Sequence, residues 1–382
     1  MLIKIYINIY NMSVQGNQEK FDFDITPEYF QRLNISPDYP KLVCLCFLNY
    51  EYYNDYIPQK IEENYAKLDP KYLAKLPFDY KEKVKKVKEG MRINQEFFTK
   101  ISNLYINKFN YLQLPEENIR RFQHDEQSFI GKLFLQLLVR EWGEEGKEER
   151  SKCITPVIQE LKNYYNYENQ SLMEKGVNIL VVGGRFMRIV YELAKLGYNV
   201  EVNEKSYLYL LVNNYLFNYS KKDELCVCPR ISSFCSSFTE DSVTKKHYLP
   251  DVDISSDLKN VKKENIKITK QYFENEYKNI KDKYDSVITV FSTDETKNLI
   301  NFTQTVYNVL KKGGVWINFG GLSSVYSEYG GFDLTWEEWK HVMIKTGFEF
   351  KNEETPVIPY LKIEGHSLPH SIGCVFFTAQ KK

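Results

Sequence analysis

The sequence lacks an excess of either charge: 51 Lys and Arg residues balance 51 Asp and Glu residues, so the formal net charge of the 382-residue chain is zero. Without a global field of one sign, nothing at long range draws the chain to nucleic acid or to an anionic membrane. It also lacks any run of about 20 apolar residues, which excludes a membrane-spanning helix. CxxC pairs and clustered histidines are missing too, because Cys44, Cys46, Cys153, Cys226, Cys228, Cys235 and Cys374 are scattered. That scatter excludes a zinc site and predicts reduced thiols in a cytoplasmic protein. The first eleven residues, MLIKIYINIYN, are apolar but no small-residue cleavage site follows them. They read as a short strand or arm and not as a secretory leader. No internal repeat is visible.

What is present is a hydrophobic content of 43%, enough for a substantial core in one large domain with an appended region. From about Thr26 to Tyr167 Gly-rich turns are missing, and apolar residues recur three and four apart, as in Phe129, Leu133, Leu137, Leu138 and Trp142. This spacing predicts helices, punctuated at Asp69-Pro70 and Leu76-Pro77. The charged stretch from Lys81 to Lys88 reads as a solvated helix face.

From Val177 the pattern becomes short apolar runs alternating with helices. NILVV, a helix from Arg188 to Lys195, NVEV and a helix from Leu208 to Phe217 are followed later by YDSVITVF, VYNVLKKGG and VWINFGG. Gly313-Gly314 reads as a helix stop, while GFEFKN and CVFFTAQ read as closing strands. Between these groups, Tyr219 to Thr269 is polar and reads as a long irregular loop. The expected architecture is therefore α/β: a helical N-terminal region over residues 1–170 and a Rossmann-like domain over 171–382.

In a doubly wound sheet, ligands bind at the carboxyl ends of the strands where strand order reverses. Glu204 ends the second strand, 21 residues after Gly183 in the turn that follows the first. An acid at that spacing can accept both hydroxyls of a ribose, although a strand-ending glutamate is as readily a solvated side chain. Asp294, in TVFSTDETKN, lies just past the apolar run. A carboxylate there can orient or deprotonate an amine or imidazole as it attacks an activated methyl group. It can equally be the N-cap of a helix that begins near Thr296.

Longer landmarks are more specific. VREWGEEGKEERSKCITPVIQEL, KLGYNVEVNEKSYLYLLVNNYLFN, PDVD at 250–253, Asp294 two residues before Thr296, LKKGGVWINFG, TGFEF and a final CVFF occur in this order. From roughly Tyr52 to the C-terminus the chain resembles the carnosine N-methyltransferase family. The resemblance implies a class I methyltransferase fold, S-adenosylmethionine as cofactor, and methyl transfer to an imidazole nitrogen of a small histidine-containing dipeptide. It implies that Arg140 helps to hold the cofactor, that Glu204 binds its ribose and that Asp294 holds the acceptor. Gly183 and Gly184 fall in the cofactor turn. Gln271 and Tyr272 stand where the family has Asp-Phe near the adenine, with Gln271 still able to pair with the purine edge. No metal is implied.

The match also has departures. The family turn reads G-A-G-L-G-R, whereas Gly183, Gly184, Arg185, Phe186, Met187 and Arg188 stand here. Arg185 and Met187 place side chains where glycines permit close backbone approach to a cofactor. Leu137 replaces a glutamine, Val325 a histidine and Ile372 a tyrosine, and His370 lies near the last without matching it. These changes define an alternative: a catalytically degenerate scaffold that serves as a binding or structural subunit with protein partners.

Overall fold

The computed structural model describes residue 21 and residues 38–105, 130–166, 176–231, 237–322, 333–362 and 371–382. The expectations placed on residues 1–11, Phe129, Val325 and His370 lie outside the described residues.

The helical half contains α1 (Asp38–Leu48), α2 (Tyr80–Ser102), α3 (Leu135–Trp142) and α4 (Lys147–Tyr164). Helix α2 starts where the Asp79 side chain accepts the Lys81 N–H. It then buries Val84, Val87, Met91, Phe98 and Ile101 on one face. Lys85, Lys86 and Lys88 stay exposed, the solvated face expected from their spacing.

The second half runs β1 (Asn178–Val182), α5 (Arg188–Lys195), β2 (Asn199–Asn203), α6 (Tyr207–Asn218), β3 (Leu225–Val227), β4 (His247–Leu249), β5 (Ile266–Thr269) and β6 (Tyr284–Val290). It continues with α7 (Leu299–Val309), β7 (Leu310–Gly320), α8 (Trp336–Thr346), β8 (Phe348–Glu354), β9 (Val357–Pro359), β10 (Ser371–Gly373) and β11 (Val375–Lys381). Seven strands form one sheet in the order β5-β2-β1-β6-β7-β11-β8. The first five are parallel, and β11 is antiparallel to both β7 and β8. This is the Rossmann-like class I sheet expected from the sequence. Strand order reverses between β1 and β6, so the crevice beyond their carboxyl ends is where such a fold presents a ligand site.

Burial on both faces explains the unbroken apolar runs: Leu180, Val287 and Ile288 are fully buried. One face packs Val287 with Trp316, Trp339 and Phe377 under α7 and α8. The other joins Val181 and Ile288 to Trp142, Val157 and Leu161 of the helical half in one continuous core. Among the described residues no helix is long and apolar enough to cross a membrane.

Three expectations are corrected. Tyr219 to Thr269 is not one irregular loop, because it holds the β3–β4 hairpin, two short helices and β5, which joins the sheet beside β2. The hairpin strands have three residues each and β5 is an edge strand, so none shows the long apolar run that marks a buried strand. Gly313-Gly314 is not the stop of α7, which ends at Val309 and passes directly into β7. Residues 311–314 bulge instead from β7, whose register jumps from the Tyr284–Leu310 pair to Ser286–Val315. Gly313 supplies a positive φ of 79° within that bulge. Finally, Asp294 does not cap a helix: α7 begins at Leu299, and the Asn298 side chain accepts the N–H groups of Ile300 and Asn301.

Candidate active site

The turn after β1 is built on close approaches. Gly183 has φ +73°, and a Cβ there would meet Ser292 Cβ at 2.3 Å. Arg185 and Met187 keep left-handed backbones, at φ 44° and 56°, although neither is glycine. Phe291, at the end of β6, does the same at φ 50°. Such conformations cost about 1–3 kcal/mol each, and they cluster where a site holds the backbone in place. Met187 turns its side chain into the core, and Phe186 packs its ring against Phe134 and Tyr209 with centroids 4.9 Å away. The Met187 side chain therefore leaves the cleft clear. That of Arg185 turns to the acids beyond β6.

Most of the turn's backbone donors are already used. The N–H groups of Gly183 and Gly184 both go to Asn203 O at 2.9 and 3.2 Å, and Met187 N–H goes to Gly184 O at 2.6 Å. Arg185 N–H goes to Glu204 Oε2 at 2.6 Å. This arrangement leaves no row of N–H groups pointing outward, as a phosphate-binding turn would require.

Glu204 sits one residue past β2, only 4% exposed, with Oε1 accepting the Ser206 N–H at 2.7 Å. Burial, then the neighbouring Glu295 carboxylate, pushes its carboxyl up to about 7. A cavity of about 40 Å³ opens beside it, between the ends of β1, β2 and β6. Val182, Gly183, Asn203, Glu204, Tyr272 and Ser292 are among its walls. Tyr272 is exposed at its rim with Lys205 Nζ 5.0 Å above the ring, and Asn203 Nδ2 donates to the Gln271 carbonyl at 3.0 Å.

Asp294 lies in the short turn Thr293–Glu295 past β6. Burial pushes its carboxyl up to about 6 against the pull of Arg185. The Arg185 Nη2 atom reaches across from the β1 turn to Asp294 Oδ1 at 3.4 Å and to Glu295 Oε1 at 3.2 Å. Sequence reasoning singled out Arg185 only as a side chain where a glycine is usual. That signal marks the position and says nothing about where the guanidinium goes.

Arg140 is placed differently. Its Nε donates to Glu149, its Nη1 to Glu141 Oε1 at 2.9 Å and its Nη2 to Cys153 Sγ at 3.6 Å. Phe291 and Tyr360 cover its faces at 4.6 and 5.2 Å. All three guanidinium nitrogens are engaged inside the protein. Leu137 is buried, and Ile372 lies in β10 with its Cδ1 packed near Gly321. Among the described residues no cluster of His, Cys, Asp or Glu is arranged to hold a metal.

The sheet order, the acid after β2 and the acid after β6 can be set beside known proteins. A family profile described as carnosine N-methyltransferase matches residues 119–382. The carnosine N-methyltransferase of Rattus norvegicus is 27% identical over 330 residues, which is 85% of this chain and 79% of that protein. That of Dictyostelium discoideum is 27% identical over 359 residues, 88% of this chain and 75% of its own. Among solved structures, TehB from Haemophilus influenzae overlaps 57% of this chain and 62% of its own at a TM-score of 0.36 and 12% identity, too slight a likeness to carry weight. The profile spans the helices around Arg140 and the whole sheet, including Glu204 after β2 and Asp294 after β6, and the chain belongs to the carnosine N-methyltransferase family.

Proposed function

We propose that the protein is an S-adenosylmethionine-dependent N-methyltransferase that methylates an imidazole nitrogen of a small histidine-containing dipeptide. The observation that carries this reading is the pair of acids, buried Glu204 and half-buried Asp294, on either side of the point where strand order reverses, in a chain of this family. The cytoplasm is its proposed setting, an expectation resting on the scattered thiols alone.

The residues present fit the nucleoside end of the cofactor. Glu204 spends one contact on each oxygen, and a carboxylate has about four acceptor sites, so ribose hydroxyls can still donate to it. Gly183 keeps the backbone low beside Ser292, Tyr272 offers an exposed ring face, and Gln271 follows the end of β5 beside the purine edge. The cavity beside Glu204, about 40 Å³, is open to solvent. The contacts of Arg185, at 3.2 Å and longer, are looser than charge-assisted hydrogen bonds of about 2.7–2.9 Å.

When bound, S-adenosylmethionine supplies an electrophilic methyl group on a sulfonium. The work of the chain is positioning. Asp294 accepts the N–H of the acceptor imidazole, which turns the other nitrogen toward the cleft and takes up the proton that the ring sheds. Its carboxyl, near 6, is matched to an imidazole of about 6.5, so the proton moves between groups of similar basicity. The degenerate-scaffold alternative drew on positions 185 and 187. Met187 is packed in the core, and the family comparisons do not favour that alternative.

Calorimetry with S-adenosylhomocysteine, paired with a methyl-transfer assay on β-alanyl-histidine, tests the proposal. Saturable binding that Glu204→Ala weakens at least about tenfold, with transfer that Asp294→Asn abolishes, is the expected result. Wild-type protein that binds no S-adenosylhomocysteine at millimolar concentration would overturn it.

A further inference from the structure

A methyl donor of this class and a histidine dipeptide both carry an α-carboxylate, and a site for either needs a cation to meet it. Arg140, the residue that resemblance nominates, already faces two carboxylates: its three nitrogens contact Glu149, Glu141 and Cys153, and two aromatic rings cover its faces.

Arg185 has the opposite character. It projects from the cofactor turn with its side chain 15% exposed and reaches the acids beyond β6 through Nη2 alone, at 3.2 Å and longer. Its Nε is buried with no hydrogen-bond partner among the described residues. The hydroxyl of Ser292, which faces Gly183 across the cleft, is likewise buried and unpartnered among them. Buried donors left unmade cost about 1–3 kcal/mol each, so the turn after β1 and the turn after β6 each hold a donor that an acceptor group would satisfy. A guanidinium meets a carboxylate with parallel N–H···O bonds, and a neighbouring hydroxyl can donate a third.

We infer that Arg185, which meets the acids beyond β6 through Nη2 and keeps Nε unpartnered among the described residues, is the α-carboxylate receptor of this site. The inference rests on the methyltransferase reading and names a specificity-determining residue within it. The carboxylate belongs either to the amino-acid part of the donor or to the C-terminus of the acceptor dipeptide. In both cases it docks on the Nε side of the guanidinium while Nη2 keeps Asp294 and Glu295 in place.

Calorimetry on wild type, Arg185→Lys and Arg185→Gln tests this with two matched pairs of ligands. S-Adenosylhomocysteine and 5′-methylthioadenosine share the thioether nucleoside, and only the first has an α-carboxylate. β-Alanyl-histidine and β-alanyl-histamine, titrated onto protein saturated with nucleoside, differ in the same way. In one pair, wild type should prefer the carboxylate ligand roughly ten- to hundredfold, Arg185→Gln should erase that preference, and Arg185→Lys should keep part of it. The pair that responds identifies the source of the carboxylate. Binding of 5′-methylthioadenosine should be unchanged in every variant, which also reports that each one is folded. Unchanged preferences in both pairs, or tighter S-adenosylhomocysteine binding by Arg185→Gln, would overturn the inference. If wild type bound neither nucleoside, the methyl-donor reading itself would fail.

Discussion

Glu204 is a buried acid whose only described hydrogen-bond donors are backbone N–H groups, and its stability cost has a sign. Its carboxyl holds a proton up to about 7 when folded, against an ordinary value of 4.5. Between those values the folded state binds more protons than the unfolded chain, so stability contributed at this position falls as pH rises from 4.5 to about 7. Asp294 acts in the same direction between 3.8 and about 6. Glu204→Gln removes the first slope. The melting-temperature difference, variant minus wild type, should therefore grow as pH is raised across that window and level off above it. A difference that stays flat would refute the buried-acid description. Ribose hydroxyls favour the ionised form, so nucleoside binding by wild type should strengthen over the same window.

Among the elements, a second set of charges fixes how helices meet the sheet. Asp251, beyond β4 in the PDVD stretch, accepts from Arg150 Nη2 of α4 and from Arg188 Nη1 of α5, both at 2.5 Å. Arg150 also donates to the carbonyls of Arg140 and Gly143 at 2.8 Å, so it closes the bend between α3 and α4. All three side chains are buried. Replacing Asp251 with Asn leaves buried Arg150 without its carboxylate and Arg188 with Glu192 alone, a type of loss that costs about 3–5 kcal/mol. Urea denaturation should show a shift of that order, and one below about 1 kcal/mol would mean that the clamp is dispensable.

Elements with long apolar runs, such as β6 and β7, or with clear periodicity, such as α2, were legible in the sequence because burial on both faces or on one stripe leaves that trace. β3, β4 and β5 left none, since short strands at an edge are set by their partners more than by their own residues. Glu204 and Asp294 were legible from their places at strand ends. The direction of Arg185 was not, because a side chain in place of a glycine has no periodicity to reveal where it points.

At the scale of the molecule, the helical half and the sheet share one apolar core, and the turn after β1 lies between them. Trp142 Nε1 donates to the Phe186 carbonyl at 2.8 Å, and Arg188 Nη1 donates to the Glu141 carbonyl at 3.3 Å. The turn is thus held from behind by α3, and any ligand that steadies it steadies the packing of that helix as well. A ligand at a hundred times its dissociation constant adds about 2.7 kcal/mol to the folded state. With S-adenosylhomocysteine present, limited proteolysis should slow at sites in α3 and α4, well away from the cleft mouth. Equal cleavage with and without ligand would show the two halves to be uncoupled. Through the Trp142 contact, the susceptibility of the helical half to a protease becomes a gauge of what the cleft contains, one that can be read without following any methyl group.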